Sequence, residues 1–251
     1  MSLNFNNFLN SYEKVPLADI KDVNLMSRVD EKFVFHQSQL SDIISQIASY
    51  YKIVTVDEKM VQQYNTHYLD TTDKLFFHQH HNGQYTRSKV RFREYVDSGL
   101  CFLEVKKKNN KKVTVKKRIR VDSIPNSGLT IDQKAYVDAV IGGDSILTSQ
   151  QKVNFNRMTF VHRENLERLT IDINLSYSFK NHKGQFKNLV IAELKKNKSQ
   201  PTSDFKKILK QYKIKPLRFS KYCMTTLQID KSVKYNRFKE KLLLIKKILK
   251  T

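Results

Sequence analysis

The segment Tyr85-Thr-Arg87-Ser-Lys89-Val-Arg91-Phe-Arg93-Glu-Tyr95 sets a cation on every second residue. Alternate residues of a strand share a face, so Arg87, Lys89, Arg91 and Arg93 form one row, with Val90 and Phe92 on the other side. Four like charges in a row repel one another unless something highly anionic sits among them. The pattern recurs in Phe102-Leu-Glu104-Val-Lys106-Lys-Lys108 and in Lys112-Val-Thr-Val-Lys116-Lys-Arg118-Ile-Arg120. Further along come Arg157 with Arg163, Arg168 with Asp172, and Glu193 with Lys195. Arginine grips phosphate oxygens bidentately and lysine acts as a mobile point charge. Together these residues could bind a polyphosphate-like anion with a metal ion and align it for phosphoryl transfer, a reaction that asks mainly for positioning and charge neutralisation.

The elements that must position these rows are strands and amphipathic helices. Strands are predicted at 28–37, 52–56, 62–69, 85–95, 100–108, 112–121, 155–163, 166–175 and 188–196. Helices are predicted at 38–50, with Ser38 as N-cap, and at 73–81, 131–141, 203–212, 220–227 and 236–249. Asp19–Leu25 reads as a lead-in. The fold class is α+β: an antiparallel eight-stranded β-barrel with a charged lumen, covered by helices such as Leu40/Ile43/Ile44/Ile47 and Phe238/Leu242/Ile245/Leu249. One domain over 1–251 is expected, with its core at about 23–230 and a C-terminal helix at 236–249. His78, His80 and His81 lack a suitably spaced fourth ligand and read as a solvated turn rather than a zinc site.

The chain of 251 residues carries 46 Lys plus Arg against 24 Asp plus Glu, a formal net charge of +22. The excess is spread along the chain and points to an anionic partner: nucleic acid, a membrane surface or a phosphorylated molecule. Cys101 and Cys223 are too few for a disulfide framework, and a reducing cytoplasm fits. No signal peptide and no transmembrane segment are expected. The lysine-rich 238–249 helix leaves a peripheral membrane or membrane-protein association open beside its role as cover.

In family order, the pieces Arg28-Val-Asp-Glu-Lys32-Phe, Tyr68-Leu-Asp70-Thr71, Arg91-Phe-Arg93, Leu103-Glu104-Val-Lys106, Lys116-Lys117-Arg118, Asn156-Arg157-Met-Thr-Phe160, Glu167-Arg168-Leu-Thr-Ile-Asp172, Ala192-Glu193-Leu-Lys195 and Arg218-Phe-Ser220-Lys221-Tyr222 carry a resemblance. The chain resembles the polyphosphate polymerase domain of the vacuolar transporter chaperone (VTC) family, within the triphosphate tunnel metalloenzyme (CYTH-like) superfamily. The resemblance covers roughly Val23 to Asp230. Many tunnel enzymes open with glutamate-x-glutamate-x-lysine, whereas this chain reads Arg28, Asp30, Lys32 there, which favours a tunnel holding more phosphate over a two-metal hydrolase.

The resemblance implies an ATP-dependent polymerase that moves the γ-phosphoryl group of ATP onto a growing polyphosphate chain with Mn²⁺ or Mg²⁺. Arg91, Arg93, Lys106, Arg157 and Arg168 would bind the triphosphate. Arg28, Lys32, Lys116, Arg118, Lys195, Arg218, Ser220 and Lys221 would hold the remaining phosphates. Glu193 is the main metal candidate, and Glu104 and Asp172 are either metal ligands or ion-pair partners of lumen cations. The partners are ATP and polyphosphate, with no structural nucleic acid. A triphosphate hydrolase and a non-catalytic polyphosphate or nucleic-acid binder are the alternatives.

Overall fold

The computed structural model describes residues 8–20, 28–111, 113–125, 128–200 and 202–250. Most of the expected lead-in, from residue 21 to Leu25, lies outside the described residues, as do Lys112 and the side chain of Arg28.

Alternation of charge with apolar residues produces strands with one polar and one apolar face. They are β1 (Lys14–Pro16), β2 (Arg28–His36), β3 (Tyr51–Thr55), β4 (Val61–Asp70), β5 (Arg87–Tyr95), β6 (Leu100–Lys108), β7 (Thr114–Val121), β8 (Thr148–His162), β9 (Glu167–Phe179), β10 (His182–Gln185) and β11 (Leu189–Asn197). The helices are α1 (Leu40–Ile47), α2 (Leu75–His81), α3 (Ile131–Ile141), α4 (Asp204–Gln211), α5 (Lys221–Ile229) and α6 (Lys239–Ile248). Eight strands form one continuous path, β2-β11-β9-β8-β4-β5-β6-β7. Every neighbour along it is antiparallel. β3 adds to β8 and carries the short β1, and β10 extends the β9 hairpin.

The α+β class and the antiparallel eight-stranded sheet are as the sequence predicts. "Barrel" describes the curvature rather than a closed ring, because the outer strands β2 and β7 do not pair among the described residues. Residues 216–217 occupy the free edge of β2: Pro216 bridges to Phe33, and the Leu217 N–H donates to the Lys32 carbonyl at 2.7 Å. The sheet nonetheless curls until Lys106 of β6 feels both Lys32 and Asp30 of β2.

The outer face is apolar and covered. Leu40, Ile43, Ile44 and Ile47 of α1 are fully buried in one cluster with Phe33, Phe35, Ile171, Leu194 and Phe205. The predicted cover by the C-terminal helix is different: Phe238 and Ile245 join a second cluster with Val34, Phe155 and Tyr222, against which Leu242 and Leu249 pack. These strand residues share the concave face of Lys32 and Arg157, so α6 closes one end of the cavity instead of covering the outside. α3 covers Val90, Phe92, Leu103 and Val105 in a third.

Three local expectations change. Ser38 does not cap α1: residues 37–39 form a 3-10 turn, whose preceding residue, His36, accepts from the Ser38 N–H. His78, His80 and His81 lie in the helix predicted at 73–81 but are not solvated: His78 and His80 are half-buried, and His81 is buried between Phe77 and Phe238. β8 starts at Thr148, well before the expected Phe155, because Gln151 enters the interior with its amide bonded to the Tyr222 carbonyl (2.9 Å) and Thr225 Oγ1 (2.6 Å). A satisfied buried amide leaves no hydrophobic signal.

Candidate functional site

The strand registers bring the cation rows onto one concave face. Arg91 lies opposite Glu104, and Lys89 opposite Lys106. Glu104 in turn faces Arg118, and Lys106 faces Lys116. On the other half, Arg157 lies opposite Asp172, Lys32 opposite Glu193, and Lys195 opposite both Arg168 and Asp30. α5 closes the site from one side. Ser220 caps this helix, accepting from the Cys223 N–H, and its Oγ also accepts from Lys89 Nζ at 2.9 Å. Lys221, the first residue of α5, reaches Asp172.

Two carboxylates are consumed by cations. Asp172, 2 % exposed, takes Arg157 bidentately, Nε to Oδ1 at 2.6 Å and Nη2 to Oδ2 at 2.7 Å, together with Lys221. Burial alone would raise its pKa; Arg157 and Lys221 hold it well below the usual carboxylate range. Glu104 accepts from Arg91 Nε at 2.7 Å and Nη2 at 2.6 Å, and that contact outweighs burial to lower its pKa as well.

Glu193 differs. It makes two long ion pairs, 3.6 Å to Lys32 and 3.7 Å to Lys195. Those lysines, against burial, keep its carboxyl far below the ordinary glutamate value, so it is ionised. Mg²⁺ and Mn²⁺ favour hard oxygen ligands, and Mg²⁺ commonly takes one or two carboxylates and completes its shell with substrate phosphates and water. Glu193 fits that role. No set of three His, Cys, Asp or Glu side chains converges on a ready-made metal site among the described residues, so phosphate oxygens would have to supply the rest of the shell.

An aromatic floor, absent from the sequence expectations, lies under the cations. Tyr64 and Phe155 stack with ring centroids 5.1 Å apart. The Arg157 guanidinium sits 5.0 Å from the Tyr64 centroid, that of Arg93 5.4 Å from the same ring, and Lys221 Nζ 4.2 Å from Phe155. Arg118 similarly covers Phe102 at 4.7 Å. These contacts orient cations by ring quadrupoles without neutralising them. The cross-strand match of Tyr64 with Phe155 was the available signal, but strand pairing is not readable from one sequence.

Cations outnumber carboxylates on the rest of this face among the described residues. Arg93 is only 8 % exposed and its Nε has no partner; Thr66 Oγ1 and Thr170 Oγ1 are likewise buried and unbonded. Burial, then Arg91 and Arg157, lower the Arg93 pKa. Burial and neighbouring cations push Lys89 and Lys106 down to about 8. Arg168 and Arg118 remain exposed, and Arg218 lies exposed on the loop before α5. Arg163 leaves the row altogether: β8 ends at His162, and Arg163 pairs with Glu13 on the outside.

A site short of negative charge should take up protons when it binds a polyanion. At pH 8 the free protein holds Lys89 and Lys106 partly neutral, and phosphate favours their charged forms. Triphosphate binding is therefore expected to absorb protons between about pH 7 and 10, with affinity falling as pH rises through about 8. The same sign means that the free protein gains stability over this range, because the unfolded lysines bind more protons than the native ones. Calorimetric titration in two buffers of different ionisation enthalpy checks this; a heat independent of buffer would remove both lysines from the anion site.

Comparison with known proteins identifies a family. The model of the VTC domain matches residues 27–136 and 146–229. The chain belongs to the VTC domain family. No curated protein matches the chain. Among solved structures, it is similar to a candidate adenylate cyclase of Bacillus halodurans, with 14% identity over 77% of this chain and 94% of that one, at a TM-score of 0.48. It is also similar to HpAC1 of Hippeastrum, described as having a dominant triphosphatase activity, with 14% identity, coverage of 78% and 93%, and a TM-score of 0.44. No helix of this VTC domain is long and apolar enough to cross a membrane among the described residues.

Proposed function

We propose that the protein is an ATP-dependent polyphosphate polymerase. It transfers the γ-phosphoryl group of ATP to the end of a polyphosphate chain held in the same tunnel. The observation that carries this reading is the charge balance of the concave face. Asp172 and Glu104 are already committed to arginines, yet among the described residues no carboxylate is bonded to Arg93, Lys89 or Lys106. Such a surplus suits two phosphate-bearing anions, a donor and an acceptor, better than one anion and a water.

In this reading Arg91, Arg93, Lys106 and Arg157 hold the donor triphosphate, and Arg168 steers it at the mouth. Lys32, Lys89, Lys195, Ser220 and Lys221 hold the acceptor chain, with Arg28, Lys116, Arg118 and Arg218 extending the basic path. A terminal oxygen of the acceptor forms the new bond to the γ-phosphorus as the bond to the β–γ bridging oxygen breaks, and ADP carries away that electron pair. The terminal phosphate is already ionised near neutral pH, so no general base is needed. Preorganised cations stabilise the charge on the transferring group, and positioning supplies much of the rate. A divalent Mn²⁺ or Mg²⁺ on Glu193 would further neutralise the phosphate oxygens.

The test incubates purified protein with ATP and Mn²⁺ and separates products by size. ADP and polymer are expected in matching phosphoryl amounts with little early orthophosphate, and Glu193→Gln should lose the activity. Orthophosphate as the dominant product, with no polymer, would move the protein to the hydrolase reading.

A further inference from the structure

The outer surface behind β2 has properties that tunnel chemistry does not explain. α4 presents Lys206, Lys207 and Lys210, and the loop that follows it presents Lys213 and Lys215. Lys206 is satisfied by Glu31 and Lys207 by Asp204. Lys210, Lys213 and Lys215 are exposed and have no carboxylate within ion-pair distance among the described residues. They rim a groove of about 520 Å³ that continues, through the shared Lys213, Ile214, Lys215 and Pro216, into a second groove of about 320 Å³.

The second groove is mostly apolar, with Tyr212, Ile214, Leu217, Leu244 and Ile248 in its walls. Its far wall is α6. Ile245 of that helix is buried, whereas Leu243 is 58% exposed and Leu244 44% exposed, beside the exposed Lys246 and Lys250. A helix that merely covers a sheet has no reason to turn two adjacent leucines outward among lysines.

We propose that this face, formed by α4, residues 212–217 and α6, docks on an anionic lipid bilayer. Charge complementarity selects the occupant's sign, since uncompensated lysines near a bilayer are drawn to acidic headgroups. The outward leucines and the apolar groove select its class. A peripheral helix of this kind sinks its aliphatic side chains to the headgroup–acyl boundary while its lysines stay at headgroup level. A soluble polyanion would use the lysines alone and leave Leu243 and Leu244 without a role. β2 links this face to the tunnel: Phe33 lines the outer groove, while the adjacent Lys32 points into the lumen and pairs with Glu193.

The test is co-sedimentation of the whole chain with vesicles of phosphatidylcholine, with or without phosphatidylserine. Binding is expected only with phosphatidylserine. Combined Lys210→Gln, Lys213→Gln and Lys215→Gln should weaken partitioning about a hundredfold, at about fivefold per lysine. Combined Leu243→Ser and Leu244→Ser should weaken it at least about tenfold. Circular dichroism confirms that both variants are folded. Because the whole protein is cationic, the control is Lys117→Gln, Lys180→Gln and Lys183→Gln, three exposed lysines elsewhere, which should lose far less. An equal loss in that control, unchanged binding of the leucine variant, or no binding to phosphatidylserine vesicles would each overturn the proposal. Loss of free polyphosphate binding in the α4 lysine variant, with the leucine variant unaffected on vesicles, would assign the face to a soluble polyanion instead. An Arg93→Ala protein should still bind vesicles, which separates this face from the tunnel reading.

Discussion

Arg93→Ala is expected to cut turnover about 10²–10³-fold while raising the melting temperature of the ligand-free protein. The two effects share one cause. Arg93 is buried between Arg91 and Arg157, rests on Tyr64 and Phe155, and leaves Nε unbonded. In the free protein it adds repulsion and an unsatisfied donor, both destabilising. In the proposed reaction it meets phosphate oxygens, where a charge-assisted contact in a desolvated site is strong. Alanine also opens a cavity, so Arg93→Met, which keeps most of the volume, is the better stability probe. The comparison is kcat with ATP, plus thermal unfolding with and without triphosphate. The wild type should gain more from triphosphate than either variant does, since binding to the native state stabilises by mass action. Unchanged turnover in both variants would take Arg93 out of the site.

Asp172→Asn is expected to be the most damaging exchange for the free protein, at about 3–5 kcal/mol. The asparagine is nearly isosteric, so packing is conserved and the loss is electrostatic. Arg157 and Lys221 would face each other in a buried space with no counter-charge. Acid does the same to the wild type. The Asp172 pKa is depressed in the fold, so its contribution is complete above the ordinary aspartate range and is lost as pH falls below it. Triphosphate should recover part of the loss in the variant by supplying the missing negative charge. Urea unfolding at neutral pH with and without triphosphate measures both effects. A loss below about 1 kcal/mol would mean that Arg157 and Lys221 are better solvated than their burial indicates.

The strand rows were legible because each cation alternates with a buried apolar residue. Arg91 and Arg93 flank Phe92, and Lys106 follows Val105, so periodicity alone assigns the faces of β5 and β6. Helix α1 was equally plain from its isoleucines, and α3 has its predicted bounds, its start fixed by a reciprocal capping box between Thr130 and Gln133 that the sequence reading did not use. What stayed hidden depends on pairing between distant segments. The stack of Tyr64 on Phe155 requires β4 to lie beside β8, and the open seam follows from residues 216–217 taking the edge of β2. The fates of Glu104 and Asp172 were also undecidable in one dimension, since a carboxylate opposite an arginine and one aimed at a metal read alike. β1 and β10 carry too few apolar residues to register as strands.

The aromatic floor bears on how quickly the site can be filled. An arginine locked to a carboxylate must surrender that partner before it can grip a phosphate, and the exchange sets a toll on every arrival. Arg93 is positioned instead by the faces of Tyr64 and Phe155, which do not compete for its N–H groups. It is aimed but unspent, so an incoming anion meets a group needing almost no rearrangement. By the same token it has no internal partner to take the anion's place, so departure re-exposes a buried, unpaired donor and release is the slower step. In the proposed reaction such a support favours retention: capture is quick, and a chain once gripped stays in the tunnel between transfers.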